Sequence, residues 1–413
     1  MDKVYDVCCG IDVHKKLIVA CLKKGNKTGT IREFGATTRS LLELTEWLKE
    51  NSCEMVAMES TGSYWKPLFN ILEIEDIKAI VVNAQHMKAV PGRKTDVKDA
   101  AWIADLLQHG LLQASYIPSR EQRELREAVI LRKSYIEERS REENRIQKVL
   151  EGGNIKLSGT ISNINGMSGH ALLLAIINGE KVDAAKIRQM QAEKRVSVQL
   201  KASPEQIAED LNGVLSDLQR IMLTEMLHHI DELNGHIRKL DDYIWNNMND
   251  DSKEAVEAIK TIPGIGDVSA QAIISVIGTD MSRFPTDKHI SKWAGLCPGN
   301  NVSANKRKSG RTTKGNQTLR TTLIVCAHAA ASCKKSYFSA QFSRISPHRG
   351  SKRAYVAVAH SMLIAIYHML KDKLPFADLG ADYYNQYNRE RKANGLLKRL
   401  KSLGYSVNIA SAT

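Results

Sequence analysis

From Ser119 to Glu151 the chain contains neither glycine nor proline, and about half of its residues are charged. Strong helix formers dominate and the apolar residues are widely spaced, so the segment predicts one continuous helix about 50 Å long at 1.5 Å per residue. So sparse an apolar stripe can bury only one side, and such a helix cannot lie inside a globular core. It must divide whatever precedes it from whatever follows. A second stretch, Leu211–Met248, carries a mostly apolar stripe at three-to-four spacing. The two predict an antiparallel pair of helical arms, a coiled coil where a partner chain supplies the second face. Residues 153–210 are broken by GGN, NGMSGH and NGE and are expected to join the arms less regularly.

Around these arms the chain divides into residues 1–115, a helical coiled-coil and linker region at 116–252, and residues 253–413. The first part reads as α/β. Val4–Val13 and Leu17–Leu22 are β-rich runs separated by the polar His-Lys-Lys, as in a hairpin. Glu54–Met58 and Ala79–Asn83 are short apolar runs of buried-strand type. Thr38–Asn51, Trp65–Leu72 and Asp96–His109 have helical periodicity. Alternation of this kind implies an open sheet with parallel members and helices on its faces. The last part is mainly helical, interrupted by a Gly/Ser/Lys-rich loop at 298–316, and the tail after Tyr405 is expected to fray.

Charge is unevenly placed. The net charge is +13, yet residues 281–413 hold 23 basic and 5 acidic side chains, leaving 36 against 41 in residues 1–280. A basic C-terminal third joined to a slightly acidic remainder suggests that one part grips a polyanion, nucleic acid above all. None of the seven cysteines lies in a CxxC pair or a Cys/His cluster at zinc spacing. The N-terminus lacks the apolar core of a signal peptide, and no run of eighteen apolar residues occurs. The expectation is a soluble protein of a reducing cytosol, without membrane association.

Four carboxylates stand out by placement. Asp12 lies in the first apolar run and Glu59 ends the run VAMES. An unpaired carboxylate is costly to bury in such a strand. Asp96 and Asp99 occur at i and i+3 in KTDVKDA, on one face of a helix start, with Lys94 and Lys98 beside them. Two strand carboxylates and two helical ones can converge on hard cations, Mg²⁺ or Mn²⁺, at a sheet edge. Such a site activates an attacking oxygen and stabilises a leaving one in phosphodiester cleavage.

Two further features lie in the basic part. TIPGIGDVSA, residues 261–270, resembles a helix-hairpin-helix, in which backbone N–H groups around Gly264 and Gly266 would hold a DNA phosphate; a plain helix junction fits as well. WAGLCPGNNVSANKRKSGRTTKGN then holds Ser303, Ser309 and the cations Lys306, Arg307, Lys308, Arg311 and Lys314, with no acidic residue. A serine nucleophile needs cations over the developing negative charge and a route for its proton. The loop supplies the first; no His or carboxylate lies within it to supply the second.

GIDVHKK, MESTG and GRKTDVKDA, in that order, resemble the RuvC-like (RNase H-like) DEDD domain of the insertion-sequence family one-ten transposases. The resemblance places that domain's acidic residues at Asp12, Glu59, Asp96 and Asp99. The pattern GL-P-NN-x-S followed by a basic GR-x-x-KGN resembles the same family's C-terminal transposase domain, whose attacking serine falls on Ser303 rather than Ser309. Ala304 stands where many relatives carry glycine. The resemblance implies a DNA recombinase that forms a phosphoserine–DNA intermediate and uses a structured noncoding bridge RNA pairing with target and donor DNA. It also implies homo-oligomers, dimers pairing into tetramers, in which carboxylates of one protomer serve the serine of another. A metal-only RuvC-like resolvase or nuclease would explain the carboxylates but leave the serine loop idle. A non-enzymatic architectural DNA-binding protein would explain the charge but not the carboxylates.

Overall fold

A computed structural model describes residues 3–25, 27–60, 62–83, 99–161, 163–299, 301–303, 306–309, 311–384 and 389–405. The chain forms two compact units, residues 1–119 and 120–413.

The first unit is built on a six-stranded mixed sheet. Its strands are β1 (Val7–Val13), β2 (Leu17–Lys24), β3 (Thr30–Gly35), β4 (Met55–Glu59), β5 (Ala79–Val82) and β6 (Ala114–Ser115), in the spatial order β3-β2-β1-β4-β5-β6. β1, β2 and β3 form an antiparallel meander; β4 pairs parallel with β1 and β5 parallel with β4; β6 closes the edge antiparallel. This arrangement is consistent with a RuvC-like DEDD domain. The β1–β2 hairpin turns on the expected His-Lys-Lys, closed by the His14 amide donating to the Leu17 carbonyl at 2.9 Å. β3 carries no strand signature in the sequence, because its side chains from Thr30 to Glu33 are exposed and only Phe34 is buried, so it lacks an apolar run.

Alternation along β1 sends side chains to two different cores. Cys9, Ile11 and Val13 pack with Val56 and Met58 in the core that also takes Leu41, Leu44 and Leu48 of α1 (Thr38–Glu50) and Leu68 and Leu72 of α2 (Trp65–Ile74). Cys8 turns to the opposite face, joining Ala57, Val82, Ile103 and Leu107 under α3 (Asp99–Gln108). All seven cysteines are free thiols. Burial pushes the Cys8 thiol up to about 11 and the Cys53 thiol up to about 12, so they serve as small hydrophobes rather than nucleophiles.

The second unit opens with α4 (Arg120–Gly152), which runs antiparallel to α9 (Asp217–Asn247). Arg139 Nη1 donates to Asn234 Oδ1 at 2.7 Å, and the Gln219 amide reaches the Val149 carbonyl at 3.4 Å. A capping box of Ser216 and Gln219 starts α9. Between these helices the chain is more regular than its glycine–asparagine breaks suggest. Four short helices, α5 (Leu157–Thr160), α6 (Met167–Ile177), α7 (Ala184–Ala192) and α8 (Pro204–Asp210), share a core with Ile146, Leu150, Leu223 and Leu227 of α4 and α9. The breaks separate helices that are short because each turns back onto that core.

At the other end of α4 and α9 lies a second helical core. It contains α10 (Asp250–Lys260), α11 (Asp267–Ile277), α12 (Asp287–Trp293), α13 (Gln317–Ser332), α14 (Tyr337–Arg349) and α15 (Ser351–Asp372). α16 (Arg389–Ser402) follows. α15 is long and apolar enough to cross a membrane by length and composition, but Val358, Met362, Leu363 and Ile366 are buried in this core. Arg132, 1% exposed, ties the core to both long helices. It donates to Asp241 Oδ1 at 2.6 Å, Gln271 Oε1 at 2.7 Å and the Val268 carbonyl at 3.0 Å.

Candidate active site

Asp12 is the penultimate residue of β1 and Glu59 the last of β4. The parallel register pairs Ile11 with Met58, so its next step sets Asp12 opposite Glu59 at the C-terminal ends of neighbouring strands. Adjacent strands lie about 4.8 Å apart, and residues opposite one another share a face. That face is the one α3 covers, because Gly10, two residues before Asp12, lies against α3's backbone: a Cβ there would fall 2.2 Å from the Ala104 nitrogen and 2.3 Å from the Ala100 oxygen. Glycine at position 10 therefore lets helix and strand approach closely.

α3 runs opposite to β1. Cys8 Sγ donates to the Ala104 carbonyl at 3.7 Å, and the Val4 amide to the Gln108 carbonyl at 2.9 Å. The described part of the helix therefore starts, at Asp99, toward the strand's C-terminal end. Asp12 and Glu59 thus lie at the same end of neighbouring strands, and Asp99 stands on the helix packed over that face. A carboxylate in a helix's first turn also suits the positive end of the helix dipole. Asp96, Lys94 and Lys98 lie outside the described residues.

His14 is a neighbour of Asp12 that the sequence pattern does not mark. Its Nε2 lies 3.0 Å from Asp12 Oδ2, with His14 59% and Asp12 14% exposed at the side chain. In sequence, His14 lies two residues after Asp12, just beyond the end of β1. Among the described residues no three His, Cys, Asp or Glu gather into a metal cage. The donor chemistry nevertheless fits a divalent ion. Asp12, Glu59 and Asp99 offer only hard oxygens, which suit Mg²⁺ or Mn²⁺ rather than soft metals.

The loop at 298–316 is a β-hairpin. Its base is pinched where Gly295, at φ +70°, meets Gly315: a Cβ on Gly315 would fall 2.2 Å from the Gly295 nitrogen. Above the pinch, Thr313 N donates to the Cys297 carbonyl at 3.1 Å and Gly299 N to the Arg311 carbonyl at 2.8 Å. β7 (Asn301–Ser303) and β8 (Lys306–Ser309) continue the ladder, with Ser303 opposite Lys306 and Asn301 opposite Ser309. Ser303 is thereby the last strand residue before the tip, with Lys306 and Arg307 on the returning strand, whereas Ser309 lies nearer the stem. Lys308 lies between Arg307 and Ser309 on β8, and Arg311 and Lys314 are exposed along the stem.

The two glycines of the PGIG turn differ in role. Gly264, at φ +89°, is pressed against α13, where a Cβ would fall 2.5 Å from the Cys326 oxygen and 2.6 Å from the Ala330 nitrogen. It is a packing glycine. Gly266 is the exposed N-cap of α11, with open space where a Cβ would project. Next to it, Lys260 Nζ bonds Asp267 at 2.5 Å and Glu257 at 3.0 Å, which holds the Asp267 carboxyl below its usual range.

A family model for the DEDD domain of IS110 transposases matches residues 9–155, which span Asp12, Glu59, Asp96 and Asp99. A second, described as Transposase IS116/IS110/IS902 family, matches residues 256–343, which span the PGIG turn and the serine hairpin. No curated protein matches significantly along the chain. The two matches fall in the order in which the carboxylate edge and the serine hairpin occur, and together they identify the chain as a DNA transposase-recombinase of the IS110 family.

Proposed function

We propose that this transposase exchanges DNA strands through Ser303, assisted by divalent cations held by Asp12, Glu59, Asp96 and Asp99, and directed to its sites by a structured noncoding RNA. What supports the reading is the parallel register of β1 and β4, which carries Asp12 and Glu59 to the same ends of neighbouring strands, on the face that α3, with Asp99 at its start, packs against. Bound there, Mg²⁺ or Mn²⁺ would stabilise charge on the attacking and leaving oxygens of a phosphodiester. The chain's own residues do the rest. Ser303 Oγ forms a bond to phosphorus and loses its proton; the phosphorus–oxygen bond of the cut strand breaks, and that oxygen leaves as a hydroxyl. Lys306, Arg307, Lys308, Arg311 and Lys314 hold the strand's phosphates, with Lys94 and Lys98 beside the carboxylates. The exposed backbone at Gly266 adds a further phosphate contact. The covalent link keeps the bond's energy for rejoining, so no nucleotide cofactor is required.

The basic residues 281–413 support a polyanionic partner, and a bridge RNA pairing with both target and donor duplexes would carry the sequence information. A homo-oligomer, a dimer or a tetramer at synapsis, is the working assembly in this reading. The test is substitution of Asp12, Glu59 or Asp99 by the matching amide. Each should abolish strand cleavage while nucleic-acid binding persists. Wild-type cleavage by Asp99→Asn would remove the carboxylate site from the account, and full-rate recombination after exhaustive RNase treatment would remove the guide RNA.

A further inference from the structure

Beside the stem of the serine hairpin, a cavity of about 430 Å³ opens between α12 and the start of α13. His289, Lys292 and Trp293 line it from α12, and Thr313, Lys314 and Asn316 from the hairpin stem and the α13 N-cap. No acidic side chain lies among these described lining residues. Lys292 and Lys314 are exposed, and neither makes a salt bridge among the described residues. Thr286 Oγ1, 2.9 Å from His289 Nδ1, fixes that ring. Trp293 is half-buried, its ring tilted at 54° against Phe284 at 5.6 Å, so one side is anchored and the rest faces the cavity. Thr313 Oγ1 is buried without a hydrogen-bond partner. A buried hydroxyl lacking a partner is costly unless a ligand completes it.

Two cations, an anchored indole and an unmet hydroxyl suit a nucleotide: phosphate to the lysines, base against the ring. The geometry points to this cavity as a subsite for one unstacked nucleotide of the DNA strand being cut, held on Trp293 with its phosphate on Lys292 and Lys314. The inference rests on the reading of Ser303 as the nucleophile only for which strand is held. From Cys297 to Ser303 the hairpin extends six residues, at most about 20 Å at 3.3 Å per residue. That corresponds to about six nucleotides at a duplex rise of 3.4 Å per strand, so the subsite would grip the strand away from the attacked phosphate. Its role is to fix the strand's register rather than to take part in bond exchange.

The test uses full-length Ser303→Ala protein, which separates this claim from the covalent chemistry. The probes are a thymidine-rich single-stranded DNA carrying 5-iododeoxyuridine and the RNA of the same sequence carrying 5-iodouridine. After irradiation and trypsin digestion, the DNA should cross-link to the peptide Trp293–Lys306, with fragment ions placing the adduct on Trp293. Lys292→Ala/Lys314→Ala, two exposed positions, should remove the Trp293 adduct, read there on the longer tryptic peptide His289–Lys306. It should also make the slope of log affinity against log salt shallower by about 0.7, the value for one phosphate on a single strand. Cross-links confined to other peptides, an unchanged salt slope, or RNA labelling Trp293 in preference to DNA would each overturn the subsite. An adduct failing to form on wild-type Ser303 would instead count against the nucleophile and leave this result standing.

Discussion

Gly10→Ala tests how the carboxylate edge is held together. The new methyl would sit 2.2 Å from the Ala104 nitrogen and 2.3 Å from the Ala100 oxygen, both backbone atoms that no rotamer change can move. Ordinary contact begins at 3.4 Å, so α3 must retreat by about 1.2 Å. Overpacking of this kind costs about 1–3 kcal/mol, and the high end is expected because the shift also loosens Cys8, Ala57, Ile103 and Leu107. The retreat carries Asp99 with it, away from Asp12 and Glu59. A displacement of about 1 Å at a reacting centre lowers rate on the order of a hundredfold. Denaturant unfolding reports the stability loss, and strand cleavage by the folded variant at low temperature reports the rate. Gly235→Ala is the control: a Cβ there meets nothing within 4 Å, and alanine should stabilise α9 by about 0.5–1 kcal/mol. Wild-type cleavage by Gly10→Ala, with stability within about 0.5 kcal/mol, would refute the packing of α3 on β1.

The two turn glycines should separate. Gly264→Ala should cost about 2–5 kcal/mol, from the positive φ and the clash with α13, while Gly266→Ala should cost under about 1 kcal/mol in unfolding yet weaken DNA binding. Arg132→Ala should lose about 3 kcal/mol, the low end for a broken buried pair because Asp241 is 38% exposed, and Arg132→Met should lose less by refilling the volume. The buried thiols make the first unit sensitive to alkali. Their folded values lie above the ordinary 9.0, so the stability they contribute is complete below pH 9 and is lost as pH rises through about 11 and 12, at about 1.4 kcal/mol per pH unit per thiol. Cys8→Ala and Cys53→Ala should each flatten that fall, read by urea titrations from pH 8.5 to 10.5.

How far the sequence discloses this arrangement depends on local pattern. The strands carrying Asp12 and Glu59 announce themselves because their neighbours are apolar on both faces, and Asp99 because it opens an amphipathic helix. β3 does not, since its exposed alternation resembles a loop. The helices at 157–210 hide behind glycine and asparagine breaks, because a helix of four to eleven residues owes its stability to tertiary packing rather than to its own periodicity. Gly10's role is equally invisible, depending on a helix backbone some ninety residues later. The serine hairpin reads as a basic loop because three β-branched residues, Val302, Thr312 and Thr313, are too few to signal a ribbon; the register that sets Ser303 by the tip belongs to the folded chain.

The central claim is that a serine of the hairpin joins the DNA. Wild-type protein incubated with end-labelled substrate and a divalent ion, then denatured and digested with trypsin, should yield a labelled peptide Trp293–Lys306 whose fragments place the nucleotide on Ser303. Ser303→Ala should bind the same substrate and yield none. A label on Ser309 or on any other peptide, or strand exchange proceeding at full rate with no adduct, would contradict the account.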